Sequence, residues 1–265
     1  MNLSVLLAVL VSFAGIAAFP ACAADTVPVE DIVARASRAA FYAGSDGIAD
    51  VRMTITDARG RQRQREMRIL RKDVEEGGEQ KFFVYFTRPA DVARTVFMVW
   101  KHSGRDDDRW LYLPAMDLVR RISATDKRSQ FVGSHFVYED ISGRALEADS
   151  HELVSAEGDT YLVKNIPLEK KGVEFAWYHV WIDKATFMPV KAEYHDAAGT
   201  LLRRITVQER RDVQGHPTVI RSQAEDLRQG GSTLLEFQDV RYDVGLEDDI
   251  FEERYLRRPP VQWVK

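Results

Sequence analysis

The chain has one cysteine, Cys22, among its 265 residues. A single thiol excludes an internal disulfide and a zinc site built on several thiolates. A basic excess is also missing: 37 Lys and Arg stand against 41 Asp and Glu, for a net charge of −4. That balance argues against nucleic-acid binding, which requires a basic stripe. Beyond the N-terminus no apolar run approaches about 18 residues, so we expect no further transmembrane helix.

Residues 1–23 lack charged side chains and end in the small residues Ala21-Cys22-Ala23. This pattern predicts a secretory signal peptide that is cleaved before Ala24. One alternative is an N-terminal membrane anchor; another is lipidation at Cys22, which the neighbouring Pro20 disfavours. The mature chain, residues 24–265, is then one domain in an oxidising compartment.

The rest of the chain is predicted to be mainly β-structure. Apolar residues recur at helical spacing over Val29–Tyr42, which predicts a first helix. Trp110 with Tyr112, and Leu118 with Val119, indicate two short strands. Further strands are predicted at Asp50–Thr56, Arg61–Arg71, Gln80–Thr87, Thr95–Trp100, Glu147–Ser155, Thr160–Pro167, Glu174–Ile182, Met188–His195, Thr200–Glu209, Thr218–Glu225 and Ser232–Tyr242. So many short strands with turn signals between them predict a single, strongly curved antiparallel sheet.

Three of these strands, Gln80–Thr87, Thr95–Trp100 and Glu174–Ile182, are apolar on both faces. Such strands must be covered on both faces, by a core or cavity on one side and by a helix, lid, partner or lipid on the other. The aromatic content, 13 Phe, 9 Tyr and 5 Trp, fits a packed core or an incompletely filled interior. The cavity candidates are Phe83, Tyr85, Phe97, Trp100, Trp110, Tyr112, Phe136, Trp177 and Trp181.

The stretch from Asp107 to Ile141 collects charge. Two interpretations of its basic residues stay open: a solvated face neutralised by nearby acids, or a ring at a cavity mouth that contacts phosphate or acidic groups. These mouth or partner candidates are Arg120, Arg121, Lys127 and Arg128. A second group, predicted to be structural, is Gly133, Tyr138, Glu139 and Asp140. Glycine would allow positive φ there, and the Tyr-Glu-Asp sequence at a strand end would satisfy backbone N–H groups or pair with Arg120 or Arg121.

Enzyme motifs are missing from the sequence. His135, Glu139 and Asp140 are the one compact metal-like group, but neighbours on a strand would point to opposite faces. Ser134 precedes a histidine without an orienting acid at a recognisable spacing. We therefore predict no catalytic residue, no metal and no cofactor, with a hydrolase as a third hypothesis.

Two blocks resemble a known family. Tyr112-Leu113-Pro114-Ala115 followed by Val119-Arg120-Arg121-Ile122, and Gly133–Ile141, resemble the LolA-like outer-membrane lipoprotein-sorting proteins, in particular the branch often encoded beside resistance-nodulation-division exporters. The resemblance extends from about Val29 to the C-terminus. His135 departs from it, since the family usually has Asp or Asn there. Ala93-Arg94-Thr95 departs too, since Lys-Gly-Thr is common there.

The resemblance implies a half-open β-barrel closed by helices, in the periplasm. It implies a monomeric, non-enzymatic carrier or chaperone that binds a lipid or lipoprotein acyl chain, with the Val29–Tyr42 helix and the Leu113–Arg128 loop as its lid. The alternative is a periplasmic adaptor that carries no cargo and docks on an inner-membrane exporter of the resistance-nodulation-division or ABC type.

Overall fold

The computed structural model describes residues 27–75 and 77–264. The predicted signal peptide and Cys22 lie outside these residues. Thirteen strands form one sheet in the order β6-β5-β4-β3-β2-β1-β13-β12-β11-β10-β9-β8-β7, and the sheet does not close. Each neighbouring pair is antiparallel. The prediction of a single antiparallel sheet is confirmed.

The element bounds follow the predicted ones closely. The strands are β1 (Asp46–Thr56), β2 (Gln62–Asp73), β3 (Gln80–Arg88), β4 (Val96–Lys101), β5 (Asp108–Leu113), β6 (Leu118–Arg121), β7 (Asp149–Ser155), β8 (Thr160–Pro167), β9 (Trp177–Asp183), β10 (Pro189–His195), β11 (Leu201–Val213), β12 (His216–Asp226) and β13 (Ser232–Tyr242). The α-helices are α1 (Val29–Phe41), α2 (Tyr138–Ser142), α3 (Arg254–Arg257) and α4 (Val261–Val264). Short 3-10 helices cover Pro114–Met116, Ala124–Asp126, Phe131–Gly133, Leu146–Ala148 and Asp248–Phe251.

Helix α1 has the charge distribution that a helix favours. Glu30 and Asp31 lie in its first turn and Arg38 in its last, so each charge faces the helix dipole end of opposite sign. Ile32 and Ala36 lie on its buried stripe. This stripe packs against the sheet at β8 and β9, through Val163 and Ile182.

The strand order dictates a cover over the sheet. Strands β6 and β7 are consecutive in the chain but lie at opposite edges of the sheet. The connection between them, residues 122–148, therefore has to cross one face. It crosses the face that carries Val51, Met67 and Phe82, here called the inner face, and packs Phe131 against it.

The opposite, outer face of β1–β5 is covered by the C-terminal residues 244–264. Leu246, Phe251 and Leu256 from this segment pack against Phe83 and Trp110. The indole N–H of Trp100 donates to the carbonyl oxygen of Phe251 at 2.8 Å. The doubly apolar strands β3 and β4 are thus covered on both faces by the protein itself.

Candidate functional site

A cavity of about 470 Å³ lies between the inner face and its cover. Its wall is mainly apolar and comes from ten strands, β1–β3 and β7–β13, together with α1 and residues 131–146. Strand alternation explains this wall, because every second residue points inward. The apolar side chains that define it include Val33, Val51, Ile69, Val180, Ile205 and Leu235.

The first part of the cover is α1, and hydrogen bonds to backbone carbonyls hold its C-terminal end. Arg71 donates from Nη1 to the carbonyl oxygen of Phe41 at 2.9 Å and from Nη2 to that of Gly44 at 2.9 Å. Gln80 also donates to the carbonyl oxygen of Phe41, at 2.8 Å. The last carbonyl groups of a helix have no N–H partner within the helix, and here the Arg71 and Gln80 side chains of the sheet donate to them instead.

The second part of the cover is residues 131–146. Lys101 donates from Nζ to the carbonyl oxygen of Ser142 at 2.8 Å. Arg203, on β11, forms an ion pair with Asp140 and donates from Nε to the carbonyl oxygen of His135 at 3.2 Å. The ring Nδ1 of His135 lies 2.8 Å from the Thr233 hydroxyl. The cover is therefore attached to the sheet by polar contacts at several separate points.

One side of the cavity carries a buried ionic network centred on Glu139. The Glu139 carboxylate accepts from Arg128 Nη1 at 3.1 Å and from Arg144 Nη1 at 3.2 Å. Arg144 continues the network to Asp149, whose carboxylate also accepts from the Tyr178 hydroxyl at 2.8 Å. Every charge here has a partner of opposite sign, which buried charges require.

The pKa values of two hydrogen-bond donors in this network, Arg144 and Tyr178, are both raised. Burial lowers the pKa of Arg144, but the hydrogen bond to Asp149 and the charge of Glu139 outweigh it, so this pKa rises. Burial and the Asp149 charge raise the pKa of Tyr178 well above its ordinary value. Both groups therefore stay protonated as hydrogen-bond donors at neutral pH.

The geometry does not supply a nucleophile–base pair at the hydrolase candidates. Ser134 is fully buried, and its hydroxyl is engaged with Phe136, accepting from the backbone N–H at 3.1 Å. The neighbouring ring of His135 faces Thr233 instead. Among residues 27–75 and 77–264, no group of three or more His, Cys, Asp or Glu side chains is arranged to hold a metal ion. The cavity wall offers apolar contact and paired charges.

Of the nine aromatic cavity candidates, Phe136 lines this cavity. Phe97 is on the inner face but lies beneath Phe131, with ring centroids 5.4 Å apart. Five others occupy the outer face under the C-terminal segment: Phe83, Tyr85, Trp100, Trp110 and Tyr112. Where both faces of a strand are apolar, alternation separates two sets of side chains but does not say which set points inward.

Trp177 and Trp181 are on the outer face of β9, away from the cavity. The Trp177 ring stacks on His195, 3.9 Å between centroids, and Lys191 lies 3.5 Å above the Trp181 ring. Both indoles are partly exposed. Their placement follows from β9 alternation, since Tyr178, Val180 and Ile182 line the cavity instead.

The four basic candidates do not form one ring. Arg120 and Arg121 are exposed on edge strand β6, where Arg121 pairs with Asp108. Lys127 contacts Glu139 and Asp106, at 3.6 and 3.7 Å. Arg128 is buried and reaches the cavity wall. The cover of the cavity is consequently α1 with residues 131–146, and of the Leu113–Arg128 loop, expected as part of the lid, Arg128 alone lines the cavity.

The expected strand end at Tyr138–Asp140 is wrong, because these residues form the first turn of helix α2. The Asp140 carboxylate accepts from the backbone N–H of Val137 at 2.7 Å, as an acid near a helix N-terminus favours. The ionic partner of Asp140 is Arg203, and the partners of Glu139 include Arg128 and Arg144. The expected pairing with Arg120 or Arg121 does not occur. Gly133 does adopt positive φ, +71°.

The sequence did not predict several residues of the cavity wall and of its ion pairs. Ile69 and Ile205 line the cavity from strands that alternate between apolar and polar residues, the ordinary signal of a one-sided strand. Val180 lines it from β9, which is apolar on both faces. Arg144 and Arg203 carried no local signal, since their partners come from other elements.

The fold and cavity define a class: an open antiparallel half-barrel with a covered apolar pocket. A family model of uncharacterized proteins matches residues 78–258. A putative outer membrane lipoprotein-sorting protein domain from Vibrio parahaemolyticus is 31% identical, with a TM-score of 0.77, over 86% of this chain and 96% of that one. A DUF1329 family protein from Desulfovibrio piger is 29% identical, with a TM-score of 0.78, over 87% of this chain and 100% of that one.

A LolA superfamily protein from Nitrosomonas europaea shares the fold, with a TM-score of 0.67, 22% identity, and coverage of 87% of this chain and 100% of that one. Comparison with curated proteins gave no match. The chain belongs to the LolA-like family, and its fold is that of the family's lipoprotein-sorting members.

Proposed function

We propose that this protein is a periplasmic carrier that binds the acyl chain of a lipid or lipoprotein in the covered cavity, for outer-membrane lipoprotein sorting or lipid trafficking. The observation that carries this proposal is the apolar pocket of about 470 Å³ between the inner face and the lid. Its size falls in the range of about 300–1,000 Å³ that small-molecule sites occupy. Membership of the LolA-like family supports the same function.

Binding would be driven by removal of the acyl chain from water. Each buried methylene contributes roughly 0.8 kcal/mol, so a long chain gains enough to offset the cost of ordering it. Such a carrier needs no catalytic group, and the ionic network around Glu139 would act as a rigid wall. Cargo exchange requires the lid to move, which breaks its polar contacts with the sheet and separates the apolar stripe of α1 and Phe131 from the sheet.

Residues 1–23 would direct export as a cleaved signal peptide, and residues 24–265 would be the mature carrier. Among the described residues, no helix is both long and apolar enough to cross a membrane. A cleaved leader would leave the carrier free to shuttle as a monomer between membranes.

The test uses delipidated protein and a fluorophore attached to an acyl chain. Ile205 lines the cavity, whereas the next residue, Thr206, does not. We expect Ile205→Glu to weaken binding at least tenfold, because a carboxylate in an apolar pocket is poorly solvated. Thr206→Glu is the matched control and should bind as the unmodified protein does. Absence of binding by the correctly folded parent protein would contradict the proposal.

A docking role on an inner-membrane exporter is the second candidate. The partly exposed Trp177, His179 and Trp181 on the outer face of β9 favour it, because protein interfaces are enriched in such aromatic residues. Mass spectrometry of protein purified without detergent separates the two functions. Co-purified lipid supports the carrier, and lipid-free protein that binds no acyl probe supports the adaptor.

A further inference from the structure

A second, polar cavity of about 400 Å³ lies next to the apolar one. It is lined by Thr125, residues 128–130, His135, Val137, residues 172–174, the β11 residues Leu202 and Arg203, and the turn between β12 and β13. Arg128 lines both cavities. Its side chain is 6% exposed and donates to Glu139 at 3.1 Å and to Glu174 at 2.6 Å. Arg128 is therefore a shared wall between an apolar and a polar space.

Other parts of the wall between the two cavities also consist of neighbouring or paired residues. Phe136 lines the apolar cavity and its neighbour His135 lines the polar one. Asp140 lines the apolar cavity, and its ionic partner Arg203 lines the polar one. One layer of side chains separates the two spaces, and the cover segment 131–146 contributes part of that layer.

The polar cavity is rich in arginine. Arg228 lines it with an exposed side chain, and within residues 27–75 and 77–264 that guanidinium forms no ion pair. The nearby Asp226 carboxylate is used by the turn, accepting from the backbone N–H groups of Arg228 and Gln229 at 2.9 Å. Glu174, the other carboxylate of this lining, is paired with Arg128. An anion entering this cavity would therefore meet the Arg228 guanidinium, which forms no ion pair with either carboxylate, and forked guanidinium contacts suit carboxylate and phosphate.

Movement of the lid would leave a second guanidinium, that of Arg203, without its negatively charged partner. Asp140 belongs to the cover, whereas Arg203 belongs to strand β11 of the sheet. When the cover lifts, Asp140 leaves and Arg203 loses both its ionic partner and its bond to the His135 carbonyl. When the cover closes again over cargo, an unpaired Arg203 would be a buried charge, which is strongly unfavourable. An anionic group of the cargo that replaced Asp140 would remove this cost.

We propose that the cargo is an amphiphile with an anionic head group, a carboxylate or a phosphate, whose acyl chain occupies the apolar cavity while its head group lies in the polar cavity against Arg228 and Arg203. This inference rests on the proposed carrier function and names the class of its cargo. When the cover lifts, Phe136 and Asp140 leave the wall between the two cavities, and the head group and the chain would then lie on either side of Arg128.

The test compares three probes with the same chain: palmitate, hexadecyl phosphate and the neutral hexadecanol, each displacing an acyl fluorophore from delipidated protein. We expect both anions to bind about tenfold more tightly than hexadecanol, the gain of one charge-assisted contact. Arg228→Gln, at an exposed position that folding does not need, should reduce that preference to near unity. The preference should also fall with added salt, since an exposed guanidinium is screened.

Arg211→Gln is the matched control. Arg211 is exposed on the same strand as Arg203 but about 26 Å along it, and its partner is Glu209. It should leave the preference unchanged. Equal binding of all three probes, or an anion preference that survives Arg228→Gln, overturns this inference while the carrier function stands. Binding of none of the probes refutes the carrier function itself. Among supporting results, tighter binding of palmitate indicates a fatty acid, and tighter binding of hexadecyl phosphate indicates a phospholipid head group.

Discussion

Arg144 and Asp149 form a two-pronged ion pair in the cavity wall: Nε lies 2.8 Å from Oδ2, and Nη2 lies 2.8 Å from Oδ1. The Asp149 side chain is 1% exposed. The pair connects the end of the lid segment to the first residue of β7. We expect Asp149→Asn to lower the free energy of unfolding by about 3–5 kcal/mol, because it leaves Arg144 buried with one fewer compensating charge. Urea denaturation monitored by tryptophan fluorescence measures this.

The control for that prediction is an exposed pair in the same half of the chain. Arg120 and Asp126 lie 3.6 Å apart with side chains about half exposed, at 59% and 45%. Asp126→Asn should change stability by less than about 1 kcal/mol. Equal losses for the two variants would show that the Arg144–Asp149 pair does not hold the lid.

Glu174 should make stability depend on acid pH. Burial would raise the pKa of its carboxyl, but the hydrogen bond and charge of Arg128 outweigh this and hold the pKa below its ordinary value of 4.5. A lowered folded pKa contributes stability that is complete above the unfolded value and is lost as pH falls through the folded one. Glu174→Gln should therefore lose about 1.5 kcal/mol at pH 7, and the difference from the parent should shrink below about pH 5.

Denaturation curves recorded from neutral to acid pH test the sign of this effect. Glu157, exposed in the turn between β7 and β8, offers a comparison, and Glu157→Gln should change the free energy of unfolding by less than about 0.5 kcal/mol. A Glu174→Gln deficit that grows on acidification would contradict the ion pair with Arg128.

The C-terminal cover of the outer face should support stability without touching cargo. Phe251 is fully buried between this segment and the sheet. Phe251→Ala should cost about 3–5 kcal/mol, the usual loss for a large aromatic core residue, whereas Val261→Ala, 55% exposed, should cost less than about 0.5 kcal/mol. At a temperature where the Phe251→Ala protein stays folded, its acyl-probe affinity should match the parent. Lost affinity in that folded protein would place cargo on the outer face.

The strands and the helix α1 could be predicted because each rests on a local pattern. Alternation gave Thr160–Pro167 and Ser232–Tyr242 with the observed bounds. The start of α2 could not be predicted this way, since its capping acid, Asp140, also serves a distant partner, Arg203. A helix of five residues has too little periodicity to be distinguished from a strand end.

The cavity wall was harder to predict than the sheet for one geometric reason. Phe83 and Phe82 are adjacent, equally apolar and equally buried, yet Phe82 lines the cavity and Phe83 meets the C-terminal segment. Phe82 faces the cavity because residues 122–148 cross its side of the sheet, and that path depends on the strand order. Arg94 gives a local counterpart: it adopts φ of +69° at the position where the resembled family commonly has glycine.

The last prediction concerns the contact between the two parts of the lid. Gly143, just after α2, has φ of +80°, and a Cβ placed there would lie 2.7 Å from Cε2 of Phe41 at the end of α1. Phe41 also lines the cavity. Gly143→Ala should therefore combine backbone strain with displacement of the Phe41 ring. We expect faster release of a bound acyl fluorophore in a stopped-flow dilution, because the two lid parts no longer close together.

Gly199 separates these two effects. It has nearly the same φ, +83°, in the turn between β10 and β11, but an added Cβ would meet nothing within 4 Å. Gly199→Ala should cost about 1–2 kcal/mol from backbone strain alone and leave probe release unchanged. Gly143→Ala should cost a further 1–3 kcal/mol, roughly, since Phe41 has to move out of a packed position. If the two variants lose the same stability and release the probe at the parent rate, then the ring of Phe41 yields freely, and the junction between α1 and residues 131–146 does not control access to the cavity.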